Sequence, residues 1–334
     1  MNQQTKKFKE LLDKSDNILL LTHKGPDMDA FCSMLITYNI IKEHYPNKEV
    51  TMKTHQLPTT NLPGMKEITV VKKIQPEYED LVILLDTSTM DFVEERVDTI
   101  SNTEASIVTI DHHDNPPEER NLNINELRSS ATEQVIFTFK EILGKNFKLT
   151  KRIAELGQYG IVADTGRFLY DKTSSDTFRL FAELVDVIRL DLETIAYKQS
   201  KIPSDSTPAI IEFLKTLRIE KDMSYMYIDR ETIKELDLTK QGVNQAKVFL
   251  RDKFLRHIQG VHWGFIVSPG FEYGNDWFVA FRSTKGYQDV KVIAEELGGG
   301  GHEYASGIPM TGNSIEEVLE KILKAVKKHV NLQS

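Results

Sequence analysis

Three short runs, "NILLLTH" (residues 17–23), "DLVILLD" (80–86) and "ASIVTID" (105–111), constrain this chain more than any other feature. Each is apolar without the polar alternation of a half-exposed strand, as strands buried on both faces are. A helical pattern through "DAFCSMLITYNIIKEHY" follows the first run, and a further strand, "EVTMKTH" (49–55), comes next. Alternation of this kind predicts an α/β fold with a parallel sheet flanked by helices. From Thr132 the pattern becomes mainly helical, and "SATE" at Ser130–Glu133 predicts a capping box opening a helix through Leu143.

A chain of 334 residues is longer than one core organises comfortably, which favours two domains. Between Leu190 and Pro208 the polar, serine-containing stretch with two prolines reads as a linker. Beyond it, "SYMYIDR", "GVHWGFIVSPG" and "DWFVAFRS" read as strands between helices. The expected division is a parallel-sheet domain over 1–190, a linker over 191–208 and a smaller α+β domain over 209–334.

Composition narrows the chemistry. No apolar run approaches the ~20 residues that span a bilayer, and the start lacks the apolar stretch and cleavage site of a signal peptide, so a cytoplasmic protein without membrane association is expected. Cys32 is the only cysteine, which excludes an internal disulfide and a thiolate zinc cluster. Any metal must therefore be held by histidine and carboxylate. The net charge is −8, and residues 1–204 hold 25 basic and 32 acidic side chains against 17 and 18 in the remainder. Such a chain is a poor partner for long duplex nucleic acid, whose affinity comes from neutralising many phosphates. A short phosphorylated substrate remains compatible with it.

The ends of the apolar runs carry potential metal ligands. The first gives His23, then Asp27 and Asp29; the run at 80–86 ends on Asp86; "IVTIDHH" ends on Asp111, His112 and His113; and "GIVADTGRF" supplies Asp164, read with the others as following an apolar strand. Singly, Asp27 or Asp29 would be a turn former or helix cap, and His112 or His113 a surface or satisfied core histidine. Asp86 closes a buried strand and needs a partner, for which a cation suffices. Open α/β sheets build sites where the carboxyl ends of strands converge, so the set can meet despite its spread in sequence.

The order His-x-x-x-Asp-x-Asp, strand-Asp, Asp-His-His, Ala-Asp-Thr-Gly resembles the four motifs of the DHH phosphoesterase superfamily, and "WFVAFRSTKG" with "AEELGGGGHEYASG" resembles the domain that accompanies it. The resemblance points to the nano-RNase and pAp-phosphatase branch. It implies that His23, Asp27 and Asp86 hold one metal ion and Asp29, Asp86, His112 and Asp164 a second, with Asp86 bridging. Carboxylate-rich ligation with some imidazole suits Mn²⁺, with Co²⁺ or Mg²⁺ as substitutes. Two such ions ~3.5–4 Å apart can activate a hydroxide and neutralise a phosphoryl group. By the same resemblance Asp111 orients an imidazole, and His113 faces substrate and protonates the leaving oxygen.

For the second domain the resemblance implies substrate binding by Arg282, Ser283, Gly299, Gly300, Gly301 and His302. Glycines let backbone N–H groups approach an anion closely, and Arg282 and His302 add donors. One glycine would cap the preceding helix; four exceed that need. The implied substrates are short RNA oligonucleotides or dinucleotides such as pGpG and pApA, and pAp. In each of these a nucleoside 3′-oxygen leaves.

Met28, where many relatives carry glycine, removes no ligand, whereas Glu303 weakens the positive field beside the glycine stretch. The readings held against this one are a cyclic-dinucleotide phosphodiesterase, a 5′–3′ exonuclease on short single strands, and a sensor that binds nucleotides without hydrolysing them. Lys247, Arg251 and Lys253 read as the solvated face of an amphipathic helix, and Trp263, Trp277 and Cys32 as packing residues. Oligomeric state, monomer or homodimer, is left open by the sequence.

Overall fold

The computed structural model describes residues 2–330 apart from 59, 75–77, 89–92, 94–104, 115–121, 194–196, 198–200 and 271–275. Two compact units, Met1–Leu192 and Glu193–Ser334, divide the chain.

The first unit contains β1 (Asn17–Thr22), β2 (Glu49–Thr54), β3 (Thr69–Val70), β4 (Leu81–Leu85), β5 (Ser106–Ile110) and β6 (Leu122–Ile124), with helices α1 (Gln3–Lys14), α2 (Met28–His44), α3 (Ala131–Leu143), α4 (Lys151–Asp164) and α5 (Ser175–Val187). The strands lie in the order β3-β2-β1-β4-β5-β6, and every pairing is parallel. All five residues of β4 are buried, and five of the six in β1, which is why these runs do not alternate. Ile18, Leu20, Leu81, Ile83 and Leu85 pack with the helices in one core cluster. Leu19, Leu21, Val82 and Leu84 point to the other face, against Ile74 and Val93.

Register sets the site. Thr22 pairs with Leu85, and Leu85 with Ile110. The residues that follow, His23, Asp86 and Asp111, therefore leave the sheet at one level. The chain runs outward in opposite directions from β1 and β4, so this level lies at a topological switch point, where open α/β sheets bind their ligands.

Ser130 caps α3 by accepting the Glu133 N–H at 3.0 Å. The Glu133 carboxylate does not return to Ser130 as a full capping box requires. It accepts instead from the Ser129 backbone and hydroxyl and, at 2.9 Å, from the hydroxyl of Thr177, so it joins α3 to α5. Cys32 is fully buried on α2.

The second unit contains α6 (Thr207–Lys215), β7 (Arg218–Glu220), β8 (Met223–Tyr227), α7 (Arg230–Glu235), α8 (Lys240–Lys253), β9 (Trp263–Pro269), β10 (Asp276–Ser283), α9 (Val290–Glu296), β11 (Gly300–His302), β12 (Ala305–Thr311) and α10 (Ile315–Val330). Its strand order is β11-β12-β10-β9-β8-β7, antiparallel except for the β8–β9 pair. Phe265, Phe281 and Ile308 face α9 and α10 on one side, and Ile266 and Ala280 face α6 and α8 on the other. Trp263 and Trp277 are core residues.

Within the stretch expected as a linker, residues 194–196 and 198–200 lie outside the described residues, Ser204–Ser206 form a 3-10 turn, and α6 begins at Thr207. Lys247 is not on a solvated face: it is 9% exposed, with its ammonium 4.7 Å above the ring of Phe278. The residue stands four after Val243 and three before Leu250, both buried in the core, so the face that the helix turns to the sheet carries it inward.

Candidate metal centre

Helix α2 starts at the mouth of β1. Asp27 is its N-cap, accepting the Ala30 N–H at 3.0 Å, and Asp29 lies in its first turn. Asp29 is buried and spans to the next helix, accepting the N–H groups of Ala131 at 2.6 Å and Thr132 at 3.0 Å at the start of α3. Asp86 leaves β4 with φ of 59°, a left-handed conformation costly for a residue with a Cβ. Its N–H is tied to the Ile110 carbonyl at 3.1 Å, which holds it beside β5.

Asp164 corrects the reading of its motif. It is the last residue of helix α4, not the end of a strand. The apolar run before it belongs to a helix face that packs inward, and the helix delivers the carboxylate to the same place.

Three groups of ligand atoms result, each with its members within 4.8 Å of one another: His23, Asp27 and Asp86; Asp29, His112 and Asp164; and Asp86, Asp111, His112 and His113. The His112 Nε2 stands 3.3 Å from both Asp86 and Asp164, and the His23 Nε2 3.7 Å from Asp86. His113 donates from Nδ1 to Asp111 at 2.8 Å, its ring half-exposed, while Asp111 also accepts the His112 N–H.

The electrostatics of the cluster are those of a cation site. Burial, then the charges of Asp86 and Asp164, push the Asp29 carboxyl well above its ordinary range. Burial likewise pushes Asp164 up to about 6, with His112 opposing and Asp86 and Asp27 reinforcing. Burial disfavours the Asp86 charge too, but the imidazoles of His112 and His23 outweigh it and hold this carboxyl below its usual range. Asp111 raises His113 to about 9.

The residues present fit divalent ions. Among the described residues, Asp86 Oδ1, Asp111 Oδ2 and both ring nitrogens of His112 are buried and make no hydrogen bond. Unpaired buried groups of this kind are costly, and a dication with oxygen and nitrogen ligands would engage several at once.

Lys172 was not legible as part of the site. It donates from Nζ to the His112 carbonyl at 2.7 Å and lies 3.6 Å from Asp114. It occurs in an unremarkable polar turn, "YDKTSS", whose sequence gives no sign of what it reaches.

In the second unit the expected substrate residues are more committed than the sequence suggested. Arg282 donates to Asp252 at 3.1 Å and to its neighbour's carbonyl, and burial lowers its pKa. Ser283 is fully buried, its hydroxyl directed to the Thr284 carbonyl, so it is not presented at the surface. The glycine stretch runs from the end of α9 into an edge strand, β11, which takes in Gly300 and Gly301. Gly298 has φ of 83° at the end of α9, and Gly301 has φ of 138° with a Cβ position 2.6 Å from the Ala305 carbonyl. A Cβ on Gly299 would lie 2.5 Å from Ile308, whereas Gly300 has open space around it. Three of the four glycines thus have structural reasons, and Gly300 and the exposed His302 are the members with room for a ligand.

Comparison with known proteins gives the same outline. Residues 17–161 match the family model described as the DHH family, N-terminal domain. The chain is 27% identical over 318 residues to a probable bifunctional oligoribonuclease and PAP phosphatase of Streptococcus mutans, covering 90% of this chain and 92% of that protein. It is 28% identical over 320 residues to the bifunctional oligoribonuclease and PAP phosphatase of Bacillus subtilis, covering 94% and 96%. Among solved structures, an exopolyphosphatase-related protein of Bacteroides fragilis shares the fold with a TM-score of 0.81 at 21% identity, covering 98% of this chain and 97% of that one.

Proposed function

We propose that this chain, which is similar to the DHH phosphoesterases, is a Mn²⁺-dependent enzyme cleaving the P–O3′ bond of short oligoribonucleotides to release mononucleotides, and pAp to AMP and phosphate. The observation that carries this reading is the meeting of three histidine and carboxylate groups at the carboxyl end of the sheet, with Asp86 common to two of them. Full-length similarity to two bifunctional oligoribonuclease and PAP phosphatases supports the substrate class.

In this reading His23, Asp27 and Asp86 hold one ion, and Asp29, Asp86, His112 and Asp164 the other. Bound there, the two ions would supply a hydroxide at neutral pH and neutralise charge on the phosphoryl group. The chain's own residues do the rest. Asp86, fixed by its bond to the Ile110 carbonyl, sets the spacing of the two ligand groups. Asp111 holds His113 through Nδ1, which leaves Nε2 of a half-exposed ring as the group that protonates the departing 3′-oxygen. Arg282, Gly300 and His302 bind a substrate phosphate, for which Arg282 must share its pairing with Asp252.

A chromatographic time course with purified protein tests the proposal, offering pGpG, pAp and pyrophosphate separately with Mn²⁺ and with chelator. Metal-dependent conversion of pGpG to GMP and of pAp to AMP is the expected result. Turnover of pyrophosphate alone would remove the substrate assignment, and survival of all three would remove the catalytic one.

A further inference from the structure

A cavity of about 550 Å³ in the second unit is lined by Lys240, Gln241, Asn244 and Lys247 of α8 with Phe278 of β10 and Pro309 of β12. That volume lies within the roughly 300–1000 Å³ typical of small-molecule sites. Lys240, Asn244 and Lys247 recur at intervals of four and three and so share one face of α8.

The unusual member is Lys247. The residue is 9% exposed, its stem buried and its ammonium open to the cavity, and lysines buried to that degree are ordinarily paired. Among the described residues no carboxylate or carbonyl meets this one, and its contact is the Phe278 ring. The neighbouring carboxylate, Asp252, is committed to Arg251 and Arg282. Asp276 lines the same cavity without pairing to Lys247. Burial, and then the like charge of Arg251, lower the Lys247 pKa, which marks the same imbalance.

We propose that this cavity is a binding site for a nucleoside monophosphate, with the phosphate on Lys247 and the base edge on Gln241 and Asn244. A phosphate supplies the anion that the lysine lacks. The side-chain amides each carry donors and an acceptor, as reading a heterocycle's edge requires, and the volume leaves room for more than a bare phosphate. The inference does not rest on the catalytic reading: none of these residues belongs to the metal cluster, and none is among Arg282, Gly300 and His302.

The test is ¹⁵N NMR of the full chain with Mg²⁺, following the Gln241 and Asn244 side-chain amides during titration with AMP, adenosine and inorganic phosphate. AMP should shift both signals saturably at about 1 mM, and Lys247→Met should weaken this about tenfold or more. Phosphate should act through Lys247 but more weakly than AMP, and adenosine should leave the signals in place. Equal shifts from adenosine and AMP, unchanged AMP binding in Lys247→Met, or no shift with AMP would each overturn the proposal. Phosphate binding as tightly as AMP would overturn the nucleoside assignment. Should Lys247→Met fail to fold, Lys247→Arg must retain binding, and the comparison of AMP with adenosine needs no variant.

Discussion

Asp29 and Ala131 lie 102 residues apart, and the carboxylate of the first accepts the backbone N–H of the second at 2.6 Å. With the parallel bond to Thr132 at 3.0 Å, Asp29 becomes the anion at the N-terminus of α3, where the helix dipole favours negative charge. One residue thus serves a structural helix and the metal cluster.

The two duties pull in opposite directions when metal is removed. Asp29 is then buried beside Asp86 and Asp164, and its charge is disfavoured. Asp29→Asn removes that charge but keeps one acceptor oxygen for the two α3 N–H groups, its NH2 then facing the second; relief of the repulsion should outweigh the lost bond and raise the melting temperature in chelator at pH 7.5. In Mn²⁺ the order should reverse, because wild type gains binding energy that the variant has lost. Melting curves with and without metal decide it; a variant less stable in both conditions would show that the cap outweighs the repulsion.

Gly160 of α4 gives a second reading of the same junction. A Cβ there would lie 2.1 Å from the Thr132 hydroxyl and 3.0 Å from Asp29 Oδ1, so α3 would have to move. Gly160→Ala should cost about 1–3 kcal/mol and weaken Mn²⁺ binding. Gly157→Ala, on the same helix, meets the movable tip of Leu184 at 2.8 Å and should leave metal affinity unchanged. Denaturant unfolding and calorimetric Mn²⁺ titration of the pair separate the two effects.

The start of the sheet offers a pH test away from the metal. Asp80 accepts the N–H groups of Asp16 and Asn17 at 2.8 and 2.9 Å, and these bonds lower its pKa. A carboxylate depressed in the folded state contributes stability above its unfolded pKa, ~3.9, and loses it as pH falls through the folded value. Asp80→Asn should therefore be less stable than wild type at pH 6, and the gap should close at about pH 3 or below. A gap independent of pH would assign the effect to something other than the charge.

The sheet was legible in the sequence because buried parallel strands leave continuous apolar runs, and the ends of those runs marked His23, Asp86 and Asp111. Asp164 was found by motif but assigned to the wrong element, since "GIVAD" is apolar enough for a buried strand or a helix face, and periodicity does not separate them over five residues. The glycine stretch was read as surplus to capping. Its hairpin register and the packing of Gly299 on Ile308 are tertiary facts that no local pattern carries. Lys247 misled for a related reason: helical spacing places a residue on a face but does not say what covers that face.

Lys172 is the strongest case of a residue visible only in the fold. Its ammonium meets the carbonyl of His112 at 2.7 Å, at the point where the chain leaves β5 and both imidazoles must be aimed. A charge-assisted bond to that carbonyl fixes the backbone carrying the ligand, and loss of comparable supporting contacts lowers metal affinity about 10–100-fold. Lys172→Met should weaken Mn²⁺ binding within that range while changing unfolding free energy by no more than about 0.5 kcal/mol, since the side chain is one-third exposed. Asp114→Asn is the control. Its carboxylate is 72% exposed and 3.6 Å from Lys172, a surface pair worth little, so the variant should bind Mn²⁺ as wild type does. If both variants lose affinity equally, the ion pair rather than the carbonyl contact positions His112; if neither does, the strand end holds the imidazole without help.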